Sequence, residues 1–172
     1  MPTNDDSSYP HQHDDAGPRA TDTRGWRAPH PRARARAARI ASGERYATCD
    51  DAPPAGLLLG IHQFNAHEYF ECHETLEGIW NLEPGPVRTL YKGILQVGVG
   101  CYHLLRGNYR GTTLKLESGA DYLEAFAPRC MQVDVAGLIA QARRLREEVV
   151  RLGPERIADV ERSLLPHIAV AL

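Results

Sequence analysis

Aromatic side chains are scarce in this chain, at 7% of residues, and no stretch is apolar for long enough to cross a bilayer. The longest apolar run, Gly93 to Leu105, is short and interrupted by Gln96 and His103. No segment alternates polar and apolar residues as a half-buried strand does, which argues against a sheet-based fold. The N-terminal residues lack the apolar core of a signal peptide, so the protein is expected to be soluble and cytoplasmic. Cysteine is sparse as well. Cys49, Cys72, Cys101 and Cys130 form no CxxC or CxxH pair, so neither a zinc knuckle nor a small disulfide scaffold is indicated, and reduced thiols are expected. An excess of one charge is also missing. A formal net charge of −2 gives no whole-chain attraction to nucleic acid or membrane, so any such binding would be local.

What is present is enough for one domain with a core: 172 residues, of which 42% are hydrophobic. Residues 1–52 carry Pro, Asp, His, Arg and Ala without hydrophobic periodicity, and they read as a disordered, solvated tail. Its charges are segregated, with Asp5, Asp6, Asp14, Asp15 and Asp22 first and an arginine-rich arm from Arg24 to Arg45 after them. Such an arm can bind nucleic acid or an anionic surface, but Trp26 is its only interleaved tryptophan and the acidic stretch screens it. Asp50-Asp51-Ala52-Pro53-Pro54 punctuates the boundary to a second unit, residues 53–172.

That unit reads as an all-α, compact antiparallel bundle of about five to six helices. A first helix is expected over Ala55 to Asn65 and a second over His67 to Leu82, stopped by Pro84-Gly85-Pro86. The third, Val87 to Arg106, is apolar on most sides and carries Gly93, Gly100 and Gly107 on another. A glycine in a helix costs about 1 kcal/mol unless close approach compensates, so this helix should be central. The glycines are expected to admit the bulky face of the second helix, with Phe70 and Trp80. Gly107-Asn108 supplies a stop and a cap. A fourth helix follows over Tyr109 to Phe126, a fifth from the cap Asp134 to Leu152, and a short sixth over Glu155 to Leu164.

Chemistry concentrates in the second helix. On a helical wheel His73 shares a stripe about 60 degrees to either side with Tyr69, Phe70, Leu76, Glu77 and Trp80, while Glu68, Glu71 and Glu74 turn away. His73-Glu74-Thr75-Leu76-Glu77 begins like a zinc-protease motif but has Glu77 where the second histidine belongs. The third helix is expected to bring Lys92, Gln96 and His103 against this face, giving a polar cluster of His73, Glu77, Trp80, Lys92, Gln96 and His103. A satisfied, buried network is the leading reading of that cluster, with Trp80 offering its indole N–H. The alternatives are acid–base chemistry and a single divalent metal on His73, Glu77 and His103, since one helix presents ligands at i and i+4 and a facing helix adds a third. No cofactor is otherwise expected.

The pattern of Phe64-Asn65, Tyr69 to Trp80, Lys92-Gly93-Ile94-Leu95-Gln96, Tyr102-His103 and Arg106 to Gly111 resembles the domain of unknown function 309 family. That family's His-x-x-x-Glu-x-x-Trp motif is matched here by His73, Glu77 and Trp80, and the resemblance covers about Leu57 to Leu123. It implies a small all-helical fold with no established activity. Cys72 and Gly98 stand where relatives are expected to have alanine. The expectation is a helical scaffold, or a module binding an unknown protein or small-molecule partner. The alternative is an uncharacterised, hydrolase-like enzyme using His73, Glu77 and His103.

Overall fold

The computed structural model describes residues 31–171. Their helices are α1 (Pro31–Ala41), α2 (Ala55–Asn65), α3 (Tyr69–Leu82), α4 (Arg88–Leu105), α5 (Tyr109–Leu123) and α6 (Val135–Leu152). Short 3₁₀ turns follow α5 and α6, at Glu124–Phe126, Pro154–Asp159 and Arg162–Leu164. The bundle is all-α apart from one tight hairpin, β1 (Arg129–Cys130) paired antiparallel with β2 (Val133–Asp134). The expected sixth helix is thus a pair of 3₁₀ turns. The acidic stretch, Arg24, Trp26 and Arg27 lie outside the described residues.

Local chemistry sets most boundaries. Asn108 accepts the Gly111 N–H at 2.8 Å and Asp134 accepts the Gly137 N–H at 3.0 Å, each satisfying an orphan donor of the first turn. Gly107 and Gly153 adopt φ of 72° and 78°, the left-handed conformation that ends a helix cheaply only for glycine. His67, expected to open the second helix, has φ 62° and forms the turn instead, so α3 begins two residues later, at Tyr69.

The core is built around α4, which buries twelve residues, Leu90 to Leu104, on nearly every side. Its glycine face does not meet α3. A Cβ on Gly93 would lie 2.7 Å from Leu123 Cγ, and one on Gly100 would lie 2.9 Å from Leu116, so that face receives α5. Gly119 answers from α5 against Val97. The expectation that Phe70 and Trp80 fill these notches is corrected: Phe70 is 47% exposed and Trp80 half-buried. Branched leucines interdigitate with glycine backbone more closely than aromatic rings do.

The tail expectation needs correcting from Pro31 onward. α1 buries no residue, yet Arg39 donates to the Leu82 carbonyl at 3.0 Å and so docks on the end of α3. Further along, Ala47 and Cys49 pack on the core. Cys49 is joined to Cys130 by a disulfide, and the Met131 N–H donates to the Cys49 carbonyl at 2.7 Å. Four reduced thiols are therefore not what the fold contains: Cys72 and Cys101 are the free, buried pair. At the opposite pole the Asn65 amide grips Ile168, accepting its N–H at 2.8 Å and donating to its carbonyl at 2.9 Å. No helix of the described residues is long and apolar enough to cross a membrane.

Candidate functional site

Of the expected α3 stripe, Tyr69, His73 and Leu76 are buried, Glu77 and Trp80 are half-buried, and Phe70 is exposed. His73 is 4% exposed, and its Nδ1 lies 3.5 Å from a Glu74 carboxylate oxygen. Ligand-capable atoms of His73, Glu74 and Glu77 all lie within 4.8 Å of one another. Glu74, which the wheel turns away, is the correction here. Its Cα lies about 100 degrees around the helix from His73, but the flexible two-carbon stem carries the carboxylate back.

One turn further on, Trp80 is flanked by cations. The Arg88 guanidinium sits 4.3 Å over the Trp80 ring, and its Nε donates to the Trp80 carbonyl at 3.1 Å. Lys92 Nζ lies 5.9 Å from the same ring and 4.5 Å over the ring of Tyr122 on α5. Trp80, Lys92 and Tyr122, one from each of α3, α4 and α5, thus form a half-buried ladder of alternating rings and charges, with Arg88 at its end. The Trp80 indole N–H is buried and has no hydrogen-bond partner among the described residues, so the expected network is not closed at this atom.

Gln96 and His103 belong to the α5 side. Gln96 is 2% exposed, with the Ser118 hydroxyl donating to its Oε1 at 3.5 Å. The ring of His103 has Nδ1 3.3 Å from the Asn108 amide nitrogen and lies under Gly111, where a Cβ would come within 2.7 Å of it. Among the described residues, the group within metal-binding distance is therefore His73, Glu74 and Glu77, and His103 is not part of it. The cause is the glycine face: α4 turns it toward α5, and Gln96 and His103 turn with it.

The two free thiols supply no nucleophile at neutral pH. Burial pushes Cys72 and Cys101 up to about 12, where the thiolate population is negligible. Burial likewise raises the Tyr69 phenol beside Cys101 and Cys72. What remains chemically competent is a histidine with two carboxylates, able to hold a cation or move a proton, and a cationic–aromatic ladder able to meet an anion. From the sequence, Arg88 and Tyr122 have no role, Glu74 turns away from the site, and Asn108 is only a cap. Arg88 was within reach of a sequence reading, since Pro84-Gly85-Pro86 makes the turn that returns it to Trp80.

Known proteins add a family likeness over part of the chain and little chemistry. An uncharacterized protein, YpuF of Bacillus subtilis (strain 168), is 37% identical over 74 residues, which are 42% of this chain and 42% of that protein. The chain therefore spans less than half the length of this curated relative. No solved structure matches. The family match begins in α2, runs through α3 with its His73, Glu77 and Trp80, and ends in α5. Residues 57–114 match the family described as Domain of unknown function (DUF309), and it is this segment, a third of the chain, that is similar to it.

Proposed function

We propose that the protein is a helical scaffold that binds a partner through the ladder of Trp80, Arg88, Lys92 and Tyr122, and that the partner segment is acidic. The observation that supports this reading is the stacking of two cations on two half-buried rings drawn from three helices. Tryptophan, tyrosine and arginine are the residues in which interface binding energy concentrates, because they bury much area at little entropic cost. A cation held over a ring keeps its charge and loses mobility, so it meets a carboxylate partly organised. The cytoplasmic location expected from the sequence is part of this proposal, and it would expose the Cys49–Cys130 pair to reducing conditions.

The test uses a short polyglutamate peptide and the fluorescence of Trp80 in a Trp26→Phe background, since these are the two tryptophans of the chain. A saturable change is expected, weakened at least ~10-fold in Arg88→Gln/Lys92→Gln and by raised salt. Melting of the double variant should stay within about 3 °C of the parent. An unchanged titration in that variant would sink the reading.

A second reading, a metal-dependent enzyme of hydrolase type, draws support from the proximity of His73, Glu74 and Glu77. One imidazole and two carboxylates would leave coordination positions for water on a divalent ion. Metal analysis of protein purified without a chelating tag separates the two. The scaffold reading expects far less than one metal per chain and a lower melting temperature for His73→Ala. One tightly held metal per chain, lost in Glu74→Gln/Glu77→Gln, would establish the second.

A further inference from the structure

The disulfide-tied segment that precedes α2 does not lie flat on the bundle. Between it and the ends of α3 and α4 is a cavity of about 440 Å³, within the range of small-molecule sites. Its apolar wall comes from Ala47, Ala52 and Pro54 on one side and Ile79, Leu82 and Met131 on the other. The two sides of the cavity are fastened to each other. Cys49 is disulfide-bonded to Cys130, the Met131 N–H donates to the Cys49 carbonyl, and Arg39 donates to the Leu82 carbonyl, so the two sides are fixed relative to each other.

The polar groups on the wall are already matched with one another. Arg39 makes two hydrogen bonds of 2.9 Å to the Glu44 carboxylate, and Arg45 makes two to Asp51 at 2.7 and 3.1 Å. Arg45, with the Thr48 N–H, holds the Asp51 carboxyl down to about 2, so this pair stays ionised and mutually satisfied across the physiological range. Buried Glu83 accepts the Gly85 N–H at 2.8 Å, and the Tyr91 hydroxyl donates to Met131 Sδ at 3.6 Å. A charged ligand would find both arginines of this wall already engaged by carboxylates, so it would gain little from them. An uncharged apolar ligand would only displace water from aliphatic wall.

We propose that this cavity is a binding site for a small uncharged molecule with an aromatic or alicyclic body of roughly two or three rings. The site is separate from the ladder of α3, and neither proposal depends on the other.

Met131 makes the test direct, because the chain has two methionines and the other, Met1, is remote in sequence. Protein labelled with ¹³C in the methionine methyl groups is titrated with 2-naphthol, which is neutral at pH 7. The Met131 methyl signal should move saturably while that of Met1 stays in place. Ala52→Trp, which places a ring in the cavity from an exposed backbone position, should weaken the titration at least ~10-fold, and Ala52→Ser should leave it unchanged. The carboxylate analogue 2-naphthoate should bind at least ~10-fold more weakly than 2-naphthol. A stationary Met131 signal, equal binding by Ala52→Trp, or naphthoate binding as tightly as naphthol would each overturn the proposal. If Ala52→Trp does not fold, Ala52→Leu with the same readout replaces it.

Discussion

Gly119→Val is expected to destabilise the protein by about 3 kcal/mol or more, the upper part of the range for overpacking. At this site a Cβ would lie 2.7 Å from Val97 Cγ2, 2.8 Å from the Val97 backbone nitrogen and 3.1 Å from the Gly93 carbonyl oxygen. A side chain can rotate away, but the backbone of α4 cannot, so the two helices must separate. Separation would also unseat Leu123 from Gly93 and Leu116 from Gly100, because these contacts share one seam. For a chain of this size ~1 kcal/mol corresponds to about 2–4 °C, so the melting midpoint should fall by roughly 6–12 °C. Gly78→Ala is the matched control. It sits within α3, nothing lies within 4 Å of its would-be Cβ, and alanine there should raise stability by about 0.5–1 kcal/mol. Calorimetry on the two variants decides the matter, and a Gly119→Val midpoint within about 2 °C of wild type would refute the seam.

The second large effect is loss of the Cys49–Cys130 bond. It ties residues 81 apart in sequence, and loop-closure entropy for a loop of that length is worth about 4 kcal/mol, with measured losses of roughly 2–5. Treatment with a dithiol, which breaks the bond to two thiols and is itself oxidised to a cyclic disulfide, should therefore lower the melting midpoint by about 6–15 °C. The Cys49→Ser/Cys130→Ser variant should melt at the same lowered temperature and ignore the dithiol. Trypsin provides an independent reading. Arg39 and Arg45 lie on the tethered segment, held by Glu44, Asp51 and the Leu82 carbonyl, and cleavage there should quicken once the tether is gone. Identical melting and identical digestion with and without dithiol would contradict this account.

Where the sequence carries a local signal, the fold could be read from it closely. α2 runs over Ala55–Asn65 and α6 ends at Leu152, as capping, punctuation and stripe imply. The glycine stripe announced a close approach but not which helix approached, since amphipathic neighbours flank α4 on both sides and only packing chooses between them. α1 escaped because it is an alternation of arginine and alanine, both good helix formers, with no apolar stripe to announce it. The pairing of Cys49 with Cys130 escaped because connectivity over such a separation is a property of the folded chain, not of spacing. In the site, the sequence placed Lys92 near Trp80, and Lys92 Nζ lies 5.9 Å from that ring. Gln96 and His103 turn toward α5 together with the glycines of α4, whereas Lys92, at the far edge of that face, still reaches the Trp80 ring. Glu74 escaped because a wheel places Cα atoms and says nothing of where a long side chain ends.

The Asn65 clamp bears on the order in which the molecule assembles. α4 and α5 are joined by a three-residue connection and can zip as they emerge, since their seam uses neighbours close in sequence. The end of α2 cannot be completed in this way. The amide that finishes it must wait for Ile168, 103 residues further on, so during synthesis α2 stands ready while its last two hydrogen bonds are still missing. The C-terminal segment thus closes back onto the end of α2 only after α3 to α6 have been made, so the two ends of the helical unit are joined by one side-chain amide.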